Sequence, residues 1–411
     1  MTFSTDDAPS YRRLFAIRGF PRLVASMLLA RVAGQMVALI LVLFSLQHYG
    51  SPEVAGAVAF LSVAPGILAS PIAGALLDRH GRTRLVVLDY VIAGTTLALI
   101  AALAVSDRLP VPALLVIVTI SSFTQPLGNT GVRTLFPLIV PPRLWERANA
   151  IDSNGYVVAS IFGPALAGTL VAVFGAPAAL AVTASIYVVA ALVAIGLRDV
   201  GGRTTTGDLL ADAWRGLVYV AKHSTLRPLA IAVTTANLGG GIFFLALPVL
   251  VLQRFSAGPE FVGLLFALSG ISGSISVLVM GRVSTLGRER QLLAGAMLGT
   301  AACFALILLF PQPLPIAVAM LLWGLATGPF DVVLFTVRQR RTDLAWLGRA
   351  FAVSMALNFA GFPIGSALAG AVLPVSIELG FALAVAATVV GAVLAYIGIP
   401  ARDDNAPVSV S

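Results

Sequence analysis

The sequence predicts an all-α membrane protein, with twelve transmembrane helices in two related six-helix bundles and both termini in the cytoplasm. Three observations carry this. Apolar residues fill 58% of the 411 positions and charged residues only 11%, against roughly 25% charged in a soluble domain. Twelve apolar runs are each long enough to cross a bilayer. The second half of the chain repeats the first.

A soluble fold of this size has no use for so much apolar residue, because its surface must be covered by polar groups. Disorder fails for the opposite reason, since disordered chains are poor in apolar residues. A hydrocarbon core of about 30 Å takes roughly 20 apolar residues as a helix. The runs fall at 22–48, 54–77, 85–105, 111–137, 148–174, 176–197, 228–252, 260–281, 291–310, 313–337, 349–373 and 376–398. They are numbered spans 1 to 12 below. Turn residues separate most of them, such as Gly50-Ser51-Pro52, Pro141-Pro142 and Pro311-Gln312-Pro313. Spans 5 and 6 are divided only by Gly175 and Ala176. The basic first 20 residues and the length of the first apolar run predict no signal peptide.

Arginines set the orientation. With the N-terminus inside, 22 of the 26 basic residues fall on the cytoplasmic side. Arg108 and Arg254 fall outside, and Arg31 and Arg133 lie within the membrane. This asymmetry predicts that both termini are cytoplasmic and that the number of spans is even. The net charge of +8 is thus a topological signal, with no soluble basic face for nucleic acid.

The duplication is read by overlaying the segment from Ala236 on that from Ala30. Gln253 then falls on Gln47 and Gly263 on Gly56, at an offset of 206 to 207. GRAFAVSMALNFAGFPIGSALAG overlays ERANAIDSNGYVVASIFGPALAG at an offset of 202. Six spans per half make this a parallel repeat, an arrangement of secondary transporters that places the site near the midplane. The predicted domains are 1–197, a linker at 198–227, and 228–411. In the linker Leu209, Leu210, Ala213, Trp214, Leu217 and Val218 recur at helical spacing. Two readings stand for it, a helix on the membrane surface or one docked on a bundle.

Several chemistries are excluded. The single lysine, Lys222 in YVAKHS, cannot belong to a phosphate-binding loop, so the chain has no such ATP site. One cysteine, Cys303, excludes an intrachain disulfide and any multi-cysteine metal site. His48, His80 and His223 are far apart in sequence. No cofactor, no metal and no enzymatic activity are expected. A membrane-embedded lipid-modifying enzyme would need a clustered catalytic set that is missing here, and a sensor would need an output domain.

GALLDRHGRTR, Gly74 to Arg84, stands between spans 2 and 3. Gly74 permits close helix approach, Asp78 ends a helix, and Gly81 allows a tight turn before Arg82 and Arg84. The stretch, with Arg79, resembles the G-x-L-x-D-R-x-G-R-R signature of the major facilitator superfamily. The resemblance implies the twelve-helix fold of that family and a brace released as the carrier changes face. The second-half copy, MGRVSTLGRERQ, has Ser284 and Thr285 in place of the acid, which predicts an asymmetric brace. ASIFGPALAG in span 5, with Gly163, Pro164 and Gly168, resembles the Gly-Pro motif of the family's drug antiporters, which implies export. It departs from that motif at Ala159 and Ser160, and a packing kink without directional meaning stands beside the export reading. PLIVPPRLWERANA and RGLVYVAKHSTLRPL resemble the macrolide and enterobactin exporter branch.

Ionisable groups inside a membrane are functional hypotheses by default. Asp89 and Arg133 match in depth, since the hairpin between spans 3 and 4 turns near Pro110, halfway between them. The sequence therefore predicts that they pair, as a structural salt bridge or as part of a gate. Arg31 lies about nine residues into span 1, roughly 13 Å along it. Its repeat partner is Asn237. Asp331, in span 10, has Asn129 as its partner. In the family, spans 1, 4, 7 and 10 line the central cavity. Asp331 is therefore the expected proton-binding carboxylate, with Arg31 holding cargo or acting as counter-charge. Asp152 competes with Asp331, and a cycle with no single essential carboxylate is the third reading.

The expected function is proton-coupled efflux of a small amphipathic compound, of a multidrug-resistance type, by a monomer in a bacterial inner membrane. The partners are the cargo, protons and the lipid bilayer. A metabolite importer or symporter of the same fold is the alternative.

Overall fold

A computed structural model describes residues 11–141, 144–197, 209–255, 257–283, 285–342 and 346–401. Among them, twelve helices are long and apolar enough to cross a membrane. Their bounds follow the punctuation in the sequence. Span 1 is Phe20–His48. Span 2 comprises Pro52–Leu61 and Ala64–His80. The break sits where Pro65 removes an amide donor and would crowd the preceding turn. Span 3, Arg82–Val105, begins at Gly81, whose φ of 93° suits a residue without Cβ. Span 4 is Val111–Ile139 and span 5 is Trp145–Phe174. Gly175, at φ 81°, divides span 5 from span 6, Ala176–Ala194, so one glycine suffices to reverse the chain.

A helix at Leu209–Lys222 precedes the second half. Span 7 is Leu226–Val249 and closes in one wide π turn, Leu250–Arg254. The remaining spans are Pro259–Met280, Glu289–Leu309, Pro313–Arg340, Leu347–Val372 and Ile377–Gly398.

Two compact units are formed. The first holds residues 1–40 and 68–207, the second 41–67 and 208–411. The first packs Phe20, Leu23 and Met27 of span 1 against Tyr90, Leu135, Phe136 and Ala194. The second packs Leu229 and Val233 of span 7 against Met297, Val333, Val337 and Ala395. The sequence expects the divide at the linker, but residues 41–67 pack with the second unit. The cause is a close crossing in which a Cβ at Gly56 would lie 2.7 Å from the Cα of Gly370 and from the carbonyl of Ser366. Two small residues let these backbones touch.

Of the two readings for the linker helix, docking is the one observed. Val220 is buried with Leu226, Leu229 and Ile399. The ring of Tyr219 stacks on Trp346 with centroids 4.9 Å apart. Trp214 stays exposed. The side chains of Leu209, Leu210 and Ala213, and residues 198–208, lie outside the described residues.

Candidate functional site

In the first unit, spans 1, 4 and 5 bring four side chains together. Arg31 donates from Nη1 to the backbone carbonyl of Asp152 at 2.5 Å. It also donates from Nη2 to the Asp152 carboxylate, again at 2.5 Å. Its guanidinium lies over the ring of Tyr156, 3.7 Å from the centroid. Space for it comes from Gly155, where an added Cβ would meet Arg31 Nη1 at 2.8 Å. Arg133 approaches from span 4. Its Nε is 3.6 Å from the second Asp152 oxygen, and its guanidinium is 4.9 Å from the same Tyr156 ring. Asp152 therefore shares its charge between two arginines, and Arg31 holds it by the shorter contacts.

This corrects the expected Asp89–Arg133 pair. Among the described residues Arg133 faces Asp152 instead. Asp89 is buried in the interface of spans 3 and 4, against Gly128. Equal depth was a sound inference, but it does not fix azimuth. At 100° per residue a helix can carry a charge to any side at a given depth. The sequence sets Asp152 beside Arg31 only through the crossing of spans 1 and 5, a contact between residues 121 positions apart.

The second unit answers with neutral groups at the related crossing. Asn237 of span 7 donates from Nδ2 to the backbone carbonyl of Asn358 in span 11 at 2.8 Å. Thr234 donates to the carbonyl of Leu357 at 2.8 Å. Asn358, with its amide turned, accepts from Arg338 and donates to Ser354. Arg338 is fully buried and also reaches the sulfur of Met355 at 2.8 Å. Arg338, one of the 22 basic residues assigned to the cytoplasmic side, is thus a core residue at the foot of span 10. Asp331, two turns above it, is half-buried. Among the described residues no hydrogen bond or ion pair reaches its carboxylate. Asn129, its repeat counterpart, is exposed on span 4.

The two motifs fare differently. Arg79 and Arg84 are exposed and Arg82 is half-buried at the turn made by Gly81. Gly74 and Asp78 stand in the helix Ala64–His80, and the side chain of Asp78 lies outside what is described. In the second-half copy a carboxylate does appear, displaced into span 9. Buried Glu289 accepts from Arg340 at 3.3 Å and faces Arg341 at 3.6 Å. Arg340 also donates to Thr285 at 3.1 Å, and Arg341 to the carbonyl of Pro400 at 2.8 Å. Sequence reasoning missed Glu289 because it looked for the acid at the register of the first copy. In span 5, Pro164 is inside the helix and Gly163 faces Gln35 of span 1, whose Cβ a larger residue would strike. Gly168 is buried.

Twelve apolar helices, an internal repeat and intramembrane charges held in spans 1, 4 and 5 define a membrane transport protein. The family model of the Major Facilitator Superfamily matches residues 23–223 and 229–410, and the chain belongs to that superfamily. It is 37% identical over 406 residues to the uncharacterized MFS-type transporter y4rN of Sinorhizobium fredii, covering 97% of this chain and 99% of that one. It is 28% identical over 341 residues to the multidrug efflux pump Tap of Mycolicibacterium fortuitum, covering 79% and 82%. With the enterobactin exporter EntS of Shigella flexneri it shares 24% identity over 307 residues, covering 73% and 71%. Among solved structures, a mutant of the nucleoside transporter NupG superposes with a TM-score of 0.74 at 14% identity, over 93% of this chain and all of that one. That last likeness bears on the fold alone. The protein is a multi-pass transporter, not an enzyme.

Proposed function

We propose that this protein exports a small amphipathic compound in exchange for protons, by alternating access between two six-span bundles, 1–197 and 228–411, joined by 198–227. Both termini are cytoplasmic, as the arginine asymmetry requires, and the working unit is a monomer in a bacterial inner membrane. The likeness to efflux pumps and the Gly163-Pro164 motif support the outward direction.

One observation carries the coupling. Of the two cavity-type carboxylates, Asp152 is held by arginines, whereas Asp331 has no polar partner among the described residues. An ionised group held at membrane depth costs about 2.5–3.5 kcal/mol on insertion scales. A carboxylate with no counter-charge sheds that cost by taking up a proton, and regains its charge when water or cargo reaches it. Asp331 is accordingly the proton carrier. Arg31 is the fixed counter-charge of Asp152, and Asn129 and Asn237 are neutral members of the cargo face. Gly74, Asp78, Arg79, Gly81, Arg82 and Arg84 form the conformational brace.

The test uses everted membrane vesicles with an imposed pH gradient and a panel of dyes, macrolides and siderophores. A transported compound collapses the gradient in vesicles carrying the wild-type protein and leaves it standing with Asp331→Asn. Full gradient collapse with Asp331→Asn refutes the assignment.

A further inference from the structure

A track of exposed polar groups runs down the first unit. Gln125, Asn129 and Arg133 stand one turn apart on span 4, all exposed. Gln35 on span 1 and Tyr156 on span 5 are exposed as well. Hydrocarbon cannot satisfy amides or a guanidinium, so a face of this kind inside a membrane meets water. Arg133 is its most strongly charged point, with 55% of its side chain accessible.

The charge there is not balanced. Two guanidinium groups meet one carboxylate, and Arg31 already makes both short contacts to Asp152. At 3.6 Å the Arg133 Nε is beyond a good hydrogen bond to that carboxylate. Asp89, on span 3, packs against Gly128 and pairs with neither arginine among the described residues. Arg133 therefore presents a planar fork of donors, the geometry that suits a carboxylate bidentately. Beside it, the exposed part of Tyr156 offers apolar contact.

We propose that Arg133 and Tyr156 form a binding subsite for an organic anion, a carboxylate carried on an aromatic or apolar body, and that the cargo of this transporter belongs to that class. Arg31 and Asp152 are the positioning pair, which anchors the Tyr156 ring and leaves Arg133 free to turn from Asp152 to the cargo. The cargo claim rests on the export reading above, whereas the binding claim does not.

The probes are two dyes with one ring system, fluorescein (an anionic carboxylate) and rhodamine 6G (a cationic ester). Binding is read by fluorescence anisotropy on the full-length protein in lipid nanodiscs, without a proton gradient. The wild type is expected to bind fluorescein at least tenfold more tightly than rhodamine 6G. Arg133→Gln is expected to lose that preference, with fluorescein binding weakened tenfold or more and rhodamine 6G binding unchanged or tighter. Arg133→Lys is expected to keep the sign of the preference with weaker binding, and it covers the case in which the glutamine variant fails to fold. Equal binding of the two dyes by the wild type, or fluorescein binding unaffected by Arg133→Gln, overturns the subsite. Everted vesicles separate the two claims. Arg133-dependent fluorescein binding without any transport supports the subsite and refutes the carrier reading. Rhodamine 6G export with no Arg133-dependent anion binding refutes the subsite and leaves the carrier reading intact.

Discussion

The crossing of spans 1 and 5 and the crossing of spans 7 and 11 are copies of one another, and they differ in charge. In both, a side chain of the first helix of a half donates to a backbone carbonyl of the fifth. Arg31 reaches the carbonyl of Asp152 and Asn237 reaches that of Asn358, each across 121 positions. By the overlay of spans 5 and 11 Asp152 falls on Ser354, so the duplication has kept a clamp at this crossing, moved it one turn along span 11 and changed its chemistry. The first half fills it with a guanidinium, a carboxylate and a second, accessible guanidinium. The second half fills it with amides, sinks Arg338 into the core, and leaves Asp331 on span 10 without a polar partner among the described residues. On the proposed reading the polar work of transport is divided, with cargo charge read in one half and proton charge carried in the other.

The comparison can be broken most severely at the glycines of the second crossing. A Cβ on Gly241 would run into the backbone of Phe362, and one on Gly365 into that of Leu238, whereas Gly240 has nothing within 4 Å. Backbone cannot yield as a flexible side chain does, so Gly241→Val is expected to cost about 3 kcal/mol or more. It should abolish recovery of monodisperse protein in detergent, while Gly240→Ala should leave the melting profile unchanged. Next in size is the charge itself. Arg31→Gln removes one partner of a largely buried pair and should cost about 3 kcal/mol. Asn237→Ala at the related position should cost about 1 kcal/mol, the scale of a single neutral hydrogen bond. Thermal melts of the two variants measure the difference, and the double change Arg31→Gln, Asp152→Asn should recover part of the first loss. Equal losses at the two positions would mean that the charge adds nothing to the clamp.

Glu289→Gln should fall between these, at about 2 kcal/mol, because it unpairs buried Arg341 as well as Arg340. The smallest effect belongs to Arg254 and Glu378, a pair at 2.5 Å with both side chains about half exposed. Glu378→Gln should change stability by less than about 1 kcal/mol, an effect that salt removes.

Spans, repeat and family were legible because membranes impose length and composition one residue at a time. Gly175 and Gly81 announced their turns for the same local reason. The site was legible only in part. Arg31, Asp152 and Asp331 stood out because charge is rare in an apolar run, yet their partners depended on which faces of distant helices meet. Asp89 and Arg133 shared a depth and not a side. Nothing in the arginine count marked Arg338 as a core residue, since the inside-positive tally does not see whether a helix foot is buried. Glu289 escaped because the duplication moved its acid from the end of one helix to the start of the next.

The central claim is that export and proton uptake are one cycle through Asp331. Purified protein in liposomes, given a cargo gradient and no initial pH difference, tests it directly with a pH-sensitive dye trapped in the lumen. The account expects cargo movement to drive protons the opposite way in the wild type, and expects Asp331→Asn to show no such flux. Proton flux in Asp331→Asn equal to that of the wild type, or cargo movement with no proton flux in either, would contradict it.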